Sequence, residues 1–510
     1  MDKVAILDFG SQYTQLIARR LREMGVYSEI FPHHYPVENL KKFEPKGIIL
    51  SGGPSSVDDE GAPYRNVSEL SEIAPLLGIC YGMQLIAKDL GGKVVPSNKR
   101  EYGMTYLNWE DNSVYNEERQ MVWMSHGDTV EELPNNFRVL AKTNSGATAA
   151  IEGTHEGTGI LAFQFHPEVS HTQNGEQLLG QFAFGMCRIQ ATWSAQNIVE
   201  ELSQRIKSKV PEDGHVLCAL SGGVDSTVVG VLLTKVLGAH RVECCFVNNG
   251  LLRKNEYEEV LSIYKTLGLN VTGIDAEEDF LTALKGVTEP ERKRKIIGNK
   301  FIDVFDHFLK TKDHVEWLAQ GTLYPDVIES VSPNGASVTI KTHHNVGGLP
   351  AKMKLKLIEP LRELFKDEVR AIGAELGIPK DILGRHPFPG PGLAVRVLGE
   401  VTKDDLSILR ECDAIFTEEL KSSGLYNKIW QAFVVLLPVH TVGVQGDSRS
   451  YEKSVALRAV TSKDGMTADW FDFPNDFLRK VSGRITNEVK KINRVVYDVT
   501  SKPPGTIEWE

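Results

Sequence analysis

Short apolar runs alternate with segments of helical period along the first part of the chain. Runs at 4–8 and 47–50 predict buried strands, and the segment 12–24 carries apolar residues at helical spacing. Strands that alternate with helices indicate a doubly wound, mostly parallel sheet, whose sites lie beyond the carboxyl ends of its strands. Between about 104 and 151 the runs become shorter and more polar, which predicts an antiparallel addition to that sheet.

The alternation resumes after a polar break at 192–194, with a predicted helix at 195–209, a strand at 215–220 and a helix at 227–237. A cluster of prolines and glycines at 385–392 marks a further boundary. Beyond it the apolar runs, which start with a predicted strand at 393–398, indicate a mixed unit of helices and strands. The predicted fold class is therefore α/β, with two doubly wound, mostly parallel-sheet domains followed by a smaller α+β C-terminal domain. The predicted domain ranges are 1–193, 194–385 and 386–510.

The strongest candidate nucleophile is Cys80, which lies between Gly78 and Gly82 at a predicted junction of strand and helix. Glycines on both sides allow a sharp turn that presents the side chain above the end of a sheet. A free cysteine is more often a buried small hydrophobe, so this interpretation needs partners. His166 ends a predicted buried strand, and Glu168 follows two residues later. Positions i and i+2 of an extended chain share a face, so Glu168 can orient the imidazole as a base for the thiol.

Backbone amides near this cysteine can stabilise the charge that develops during attack on a carbonyl. The run Ser-Gly-Gly-Pro at 51–54 follows a predicted strand and would meet Cys80 at the same edge of the sheet. The N–H groups of Gly53 and Tyr81 would then form an oxyanion hole. The alternative is that the glycines form only a turn. The run 121–128 belongs to the predicted antiparallel addition, and its pair Ser125-His126 is expected to lie in a loop that lines the substrate pocket, or to have no role.

A second candidate site is the segment Ser221-Gly222-Gly223-Val224-Asp225-Ser226-Thr227, which joins a predicted strand to a predicted helix. Two glycines let backbone amides close around an anion, hydroxyl groups add donors, and a helix N-terminus favours negative charge. The segment is therefore predicted to hold nucleotide phosphates. It differs from the ordinary P-loop because no lysine follows its second glycine. Asp225 would repel phosphate unless it held Mg²⁺, although an aspartate here could also cap the helix.

Composition limits the classes of partner. The chain has 510 residues, which is too long for one core, and its 41% hydrophobic and 25% charged residues are ordinary for folded domains. A net charge of -11 argues against a general nucleic-acid or membrane-surface binder. The six cysteines lack C-x-x-C spacing, so they indicate neither a disulfide framework nor a zinc site. With no basic leader and no apolar run of membrane-spanning length, a cytoplasmic protein is expected.

The two candidate sites suggest one combined reaction. A thiolate with an imidazole and a carboxylate can hydrolyse an amide through a thioester. The phosphate-binding segment can hold the pyrophosphate of ATP while the α-phosphate is transferred to an oxygen, and ammonia can then displace AMP. Other readings stay open at this point: a synthetase that adenylates another acceptor, such as a carboxylate, or a non-catalytic nucleotide-binding regulator.

The motifs also resemble known families. Residues 51–54, 78–84 and 166–168 resemble class I glutamine amidotransferases, and residues 221–226 resemble the pyrophosphate loop of N-type ATP pyrophosphatases. The order of these units is similar to that of the glutamine-hydrolysing GMP synthase family over essentially the whole chain. The stretches 294–298, 321–326, 385–392 and 502–510 also carry this resemblance, and the last two are the more specific.

This resemblance implies that XMP is adenylated at its 2-oxygen by ATP and aminated to GMP with nitrogen from glutamine. It implies a catalytic lid lysine at Lys366 and a homodimer formed through the C-terminal domain. It also implies a set of residues that contact XMP: Arg294, Gln431, Asp447, Lys502 and Glu508. Residues 331–350 match no motif.

Overall fold

The computed structural model describes residues 1–110, 119–312, 314–330, 355–445, 448–462, 465 and 467–510. The chain forms two compact units, Met1–Ile198 and Val199–Glu510. Within the described ranges, no helix combines the length and the apolar character needed to cross a membrane. The division into three domains at 193 and 385 stays a prediction.

The first unit is built on a sheet that has nine strands among the described residues. The strands are β1 (Lys3–Asp8), β2 (Tyr27–Pro32), β3 (Gly47–Leu50), β4 (Leu76–Ile79), β5 (Lys93–Trp109), β6 (Arg119–Glu132), β7 (Phe137–Thr143), β8 (Thr148–His155) and β9 (Thr158–Phe163). Their order is β2-β1-β3-β4-β9-β8-β7-β5-β6. Strands β2 to β9 in this order pair in parallel, and the remaining pairs are antiparallel, so the predicted antiparallel addition is confirmed.

Burial explains why these runs form the centre of the sheet. Val4, Ala5, Ile6 and Leu7 of β1 are all fully buried, as expected for a strand with helices on both faces. The helices of this unit are α1 (Thr14–Glu23), α2 (Val37–Phe43), α3 (Val67–Ser71), α4 (Tyr81–Asp89) and α5 (Gly175–Gly180), and helix α6 (Ala195–Lys209) leads out of it.

The second unit contains a parallel sheet in the order β12-β11-β10-β13-β14, counted over the described residues. Its strands are β10 (His215–Leu220), β11 (Val242–Asn248), β12 (Val271–Asp275), β13 (Val315–Ala319) and β14 (Lys356–Ile358). The helices of this part are α7 (Val224–Leu237), α8 (Glu256–Thr266), α9 (Glu277–Leu284), α10 (Pro290–Leu309), α11 (Tyr324–Ser330), α12 (Lys366–Glu375) and α13 (Lys380–Leu383).

A smaller sheet follows in the same unit. It is formed by β15 (Gln431–Gln445), β16 (Ser448–Thr461), β17 (Asp469–Trp470) and β18 (Ile492–Tyr497), with helices α14 (Lys403–Ser422) and α15 (Asn475–Glu488). Its strands are mainly antiparallel, whereas β18 joins β16 in parallel. The predicted fold class, with two large mostly parallel sheets and a smaller mixed region, is confirmed.

One predicted strand is wrong. The run 393–398 lies largely in a short 3-10 helix, Gly392–Arg396, rather than in a strand. A short apolar run is compatible with either a buried strand or a buried helical turn, and periodicity alone cannot separate them. Gly392 has a φ of 62°, and a Cβ there would lie 2.4 Å from the carbonyl oxygen of Leu251. Close packing of the chain at Gly392 against Leu251, which follows β11, therefore favours the helical turn.

The last stretch of the chain is docked rather than loose. The fully buried Arg458 donates to the carbonyl oxygens of Thr500 at 2.6 Å and Thr506 at 3.1 Å. The backbone of Lys502 also pairs with that of Ala468 in an isolated antiparallel bridge. These contacts hold residues 500–506 on the face of the small sheet.

Candidate active sites

Cys80 lies in a sharp turn between β4 and α4. Its backbone angles, a φ of 52° and a ψ of −104°, are rarely adopted by residues other than glycine. A Cβ on Gly82 would lie 2.3 Å from the carbonyl oxygen of Leu50, so the helix can approach β3 only with glycine at this position. The Cys80 N–H donates to the carbonyl of Phe163 at 2.7 Å, which fixes the turn to β9. The geometry is that of a strained strand-to-helix elbow that presents its side chain.

His166 and Glu168 form a buried pair beside this turn. The Nδ1 of His166 donates to Oε1 of Glu168 at 2.7 Å, and both side chains are nearly inaccessible. Burial alone would lower the pKa of His166, but the charge of Glu168 and a hydrogen bond to Cys80 raise this pKa well above its ordinary value. The imidazole beside the sulfur therefore has a raised proton affinity, which suits a base that accepts the thiol proton. The thiolate is the reactive form of cysteine.

Strand β6 holds both the thiol and the base. The Cys80 thiol donates to the carbonyl of Ser125 at 3.5 Å, and the backbone N–H of His166 donates to the carbonyl of Trp123 at 3.0 Å. The hydroxyl of Thr172 accepts from the Trp123 N–H at 3.1 Å and donates to the His166 carbonyl at 2.6 Å. The predicted place of residues 121–128 in the antiparallel addition is confirmed, since they lie in β6. The loop expected at Ser125 and His126 is wrong, because these residues pair with Tyr102 and Glu101 of β5.

The glycine turn at 51–54 lies against the base. A Cβ on Gly52 would stand 3.1 Å from Cε1 of His166, and one on Gly53 would stand 2.7 Å from the carbonyl of Phe9. Tyr81 opens α4 directly after the cysteine. The structure thus brings Gly53 and Tyr81 to the same strand ends as Cys80, as the sheet topology requires.

In the second unit, the segment 221–227 connects β10 to α7. Helix α7 begins at Val224, so Asp225 and Ser226 lie in its first turn. Gly222 has a φ of 79°, and the hydroxyls of Ser221 and Ser226 lie 3.0 Å apart across the turn. Thr227 Oγ1 donates to the Gly223 carbonyl at 2.7 Å. The glycines and hydroxyls form a compact turn at a helix N-terminus, which suits an anionic ligand.

Asp225 and Lys366 come together at this turn. The Nζ of Lys366 lies 3.9 Å from Oδ2 of Asp225, although the two residues are far apart in sequence. Burial and the charge of Asp326 raise the pKa of Asp225, against the opposing effect of Lys366 and Arg370. Among the described residues, Oδ1 of Asp225 is buried without a hydrogen-bond partner. A buried carboxylate oxygen of this kind fits a Mg²⁺ ion that takes its other ligands from phosphates and water.

Glu508 is the centre of a third cluster. The side-chain amide of Gln431 donates to its Oε1 at 2.7 Å. Arg396 donates to both of its carboxylate oxygens, at 2.9 Å and 3.2 Å. Arg396 is fully buried and its guanidinium stacks on the ring of Phe433 at 4.1 Å. Sequence reasoning missed this arginine because it lies in the apolar run that was predicted to be a strand.

The other residues expected to contact XMP are Arg294, Lys502 and Asp447. Arg294, on α10, donates to the main-chain oxygen of Glu510. Lys502 donates to the carbonyl of Gly465 at 2.7 Å. Asp447 lies outside the described residues. Gln431 therefore contacts Glu508 directly, whereas Arg294 contacts Glu510, two residues further along the chain.

Three family models match successive parts of the chain. The model described as Glutamine amidotransferase class-I matches residues 5–186. The model described as NAD synthase matches residues 196–300, and the model described as GMP synthase C terminal domain matches residues 418–509. The first match contains Cys80, His166 and Glu168, and the second contains the turn at 221–227.

Full-length relatives are closely similar. The chain is 63% identical over 505 residues to a protein from Bdellovibrio bacteriovorus named GMP synthase (glutamine-hydrolyzing), with 99% of each chain covered. It is 56% identical over 516 positions to a protein of the same name from Chlorobium chlorochromatii, with 100% of each covered. A relative of that name from Fusobacterium nucleatum is 54% identical over 512 positions, with 99% of each covered. The similarity extends across both compact units.

Proposed function

The chain belongs to the family of glutamine-hydrolysing GMP synthases, and we propose that it converts XMP to GMP with glutamine as nitrogen donor and ATP as co-substrate. It is an ATP-dependent ligase with an amidotransferase part and an ATP pyrophosphatase part. The observation that carries the residue assignments is the chain of contacts Glu168–His166–Cys80 in a protein that also holds Lys366 beside the turn at 221–227.

Glutamine hydrolysis is assigned to Cys80. Its thiolate attacks the side-chain amide carbon, and the N–H groups of Gly53 and Tyr81 stabilise the oxyanion. His166 then gives its proton to the departing nitrogen, which leaves as ammonia and a thioester remains. In the second half, His166 takes a proton from water as the water attacks the thioester, which releases glutamate. Glu168 holds the imidazole in orientation throughout.

Adenylation is assigned to the turn at 221–227. Its backbone amides and hydroxyls bind the pyrophosphate part of ATP, while the 2-oxygen of XMP attacks the α-phosphate and pyrophosphate leaves. Lys366 stabilises the charge that develops on the phosphates. Asp225 would hold Mg²⁺, and this ion, when bound, neutralises phosphate charge. Ammonia then attacks C2 of the purine and AMP is expelled.

Recognition of XMP is assigned to the third cluster. Arg294 and Lys502 supply positive charge for the nucleotide phosphate. Glu508 accepts hydrogen bonds from purine N–H groups, and Gln431 orients it. Asp447 is included on the family resemblance.

Three further assignments complete the proposal. The domain ranges are 1–193, 194–385 and 386–510. The protein is a homodimer through its C-terminal domain, supported by the exposed apolar side chains Val442, Val444 and Tyr451 on paired strands. It acts in the cytoplasm, supported by six cysteines that are all free and buried.

One assay tests the proposed reaction. AMP and GMP are measured from XMP, ATP and Mg²⁺, with either glutamine or ammonium as nitrogen source, and other acceptors with a carboxylate are measured in parallel. XMP-dependent release of AMP with both nitrogen sources is expected. Full-length similarity to GMP synthases disfavours the carboxylate-activating and regulatory alternatives. AMP release that does not depend on XMP would contradict the proposed reaction and favour the carboxylate-activating alternative.

A further inference from the structure

Glu510 is anchored in the second unit by a buried cation. Its Oε2 pairs with the Nζ of Lys293 at 2.5 Å, and its side chain is only 8% exposed. Lys293 itself is fully buried, and it also donates to the carbonyls of Val397 at 2.8 Å and Ala394 at 3.1 Å. The N–H of Gly399 donates to the other carboxylate oxygen of Glu510 at 3.4 Å. Both partners of this ion pair are thus satisfied by neighbours that leave them little freedom.

The residues around Glu510 form a short extended segment with alternating faces. Glu508 points inward to the fully buried Arg396, and Glu510 points inward to Lys293, whereas Trp509 between them is 39% exposed. Residues i and i+2 of an extended chain share a face. Two buried cations therefore fix the segment 508–510 at both of its ends.

Arg294, the residue next to Lys293, uses this anchor. Its guanidinium donates to the main-chain oxygen of Glu510 at 2.5 Å, and its side chain is 24% exposed. A long arginine side chain on a helix surface loses conformational freedom when it is held in one place. The contact with Glu510 confines that freedom before any ligand arrives.

We propose that Glu510 is a positioning residue of the nucleotide site, which fixes Arg294 and Glu508 in the arrangement that binds XMP. The inference rests on the proposed function, because it assumes that Arg294 and Glu508 contact XMP. The ion pair between the Glu510 side chain and Lys293 fixes the position of the Glu510 backbone. The main-chain oxygen of Glu510 in turn fixes the guanidinium of Arg294. A cation that is already held in position binds a phosphate more tightly, because its side chain loses less conformational entropy on binding.

The test compares Glu510→Ala with wild-type enzyme in the ammonium-dependent assay, which avoids the glutaminase. KM for XMP is expected to rise about tenfold, with kcat within about twofold and KM for ATP unchanged. Equilibrium dialysis with XMP alone should show the same loss of affinity. Lys293→Met, which removes the ammonium and roughly keeps the side-chain volume, should change KM for XMP in the same direction.

Glu291→Gln is the matched control. Glu291 also lies near Arg294, at 3.9 Å, but its side chain is 72% exposed, so this variant should keep the wild-type KM for XMP. Wild-type KM and wild-type dialysis binding in folded Glu510→Ala would overturn the inference, as would equal increases of KM for XMP and ATP. Failure of the proposed function is distinct, since wild-type enzyme would then show no XMP-dependent AMP release.

Discussion

Cys80 illustrates how packing imposes an unfavourable backbone conformation at a reactive residue. A positive φ at a residue other than glycine costs about 1–3 kcal/mol and persists only where the surroundings enforce it. Here Gly82 allows α4 to approach β3, and the Cys80 N–H is tied to Phe163. The strain is thus supported by close contacts on both sides of the sulfur.

Gly82→Ala is expected to destabilise the first unit by roughly 2 kcal/mol or more, because the new methyl group would overlap the Leu50 carbonyl. Urea unfolding followed by fluorescence measures this change. Gly483→Ala is the control, since Gly483 lies in α15 with open space around it, and alanine there should be neutral or stabilising. Equal stability of the two variants would show that the close approach at Gly82 is not required.

Glu168→Gln tests the electrostatics of the His166 pair. The charge of Glu168 helps to raise the pKa of His166, so its removal should lower that pKa and the imidazolium should be lost at lower pH. The alkaline limb of the glutaminase pH profile is therefore expected to move down by about 1 unit or more. Ammonium-dependent GMP formation should keep its wild-type profile. An unmoved glutaminase limb would remove Glu168 from this role.

Among the individual residues of the candidate sites, contacts between residues close in sequence could be predicted. The His166–Glu168 contact was predicted from an i, i+2 spacing and is present. The predicted strand up to His166 is wrong, because β9 ends at Phe163 and Pro167 and Glu168 lie in a turn. Ser125, Thr172 and Arg396 were not predictable, because their partners are brought to them only by strand pairing or by burial in the core. An isolated arginine in an apolar run carries no sequence signal for a bidentate contact with a distant glutamate.

Strand β6 is the element that joins the parts of the thiol site. It contacts the cysteine through the Ser125 carbonyl and the base through the Trp123 backbone. Thr172 closes this arrangement with a hydroxyl that both accepts and donates. The position of the base therefore depends on an antiparallel strand outside the parallel part of the sheet.

Thr172→Val is expected to reduce the kcat of glutamine hydrolysis about tenfold, because it leaves the Trp123 N–H and the His166 carbonyl without this bridge, which costs about 1–3 kcal/mol. Thr172→Ser keeps the hydroxyl and should recover most of the rate. Steady-state glutamate release measures both variants. If serine and valine had the same effect, the methyl group rather than the hydroxyl would be the important feature.

Among the elements, long periodic segments were predicted best. Helix α6 and strand β10 agree with the predicted ranges at both ends, since amphipathic period and flanking turn residues define them. The strand predicted at 393–398 was wrong, because tertiary packing of Gly392 against Leu251 decided between two structures that the apolar run allowed equally. Helix α7 also starts three residues before the predicted Thr227, at Val224.

For the whole molecule, two chemistries occupy separate compact units. The first contains Cys80, His166 and Glu168, and the second contains the turn at 221–227, which is proposed to bind phosphate, and the Glu508 cluster. A hydrophobic core in the second unit includes Leu217 near its start and Ile492 near its end, so the parallel sheet and the small sheet share buried packing there. That shared packing could not be predicted from the sequence, because it depends on contacts between distant segments.

The separation of chemistries is tested most directly by GMP formation from XMP and ATP in the Cys80→Ala and Asp225→Asn variants. Each variant is assayed with glutamine and with ammonium, and folding is checked by circular dichroism. Cys80→Ala should lose glutamine-dependent activity and keep ammonium-dependent activity near the wild-type rate. Asp225→Asn should lose most of both, because adenylation precedes either nitrogen source. Loss of ammonium-dependent activity in folded Cys80→Ala, or its retention in Asp225→Asn, would contradict this division of labour.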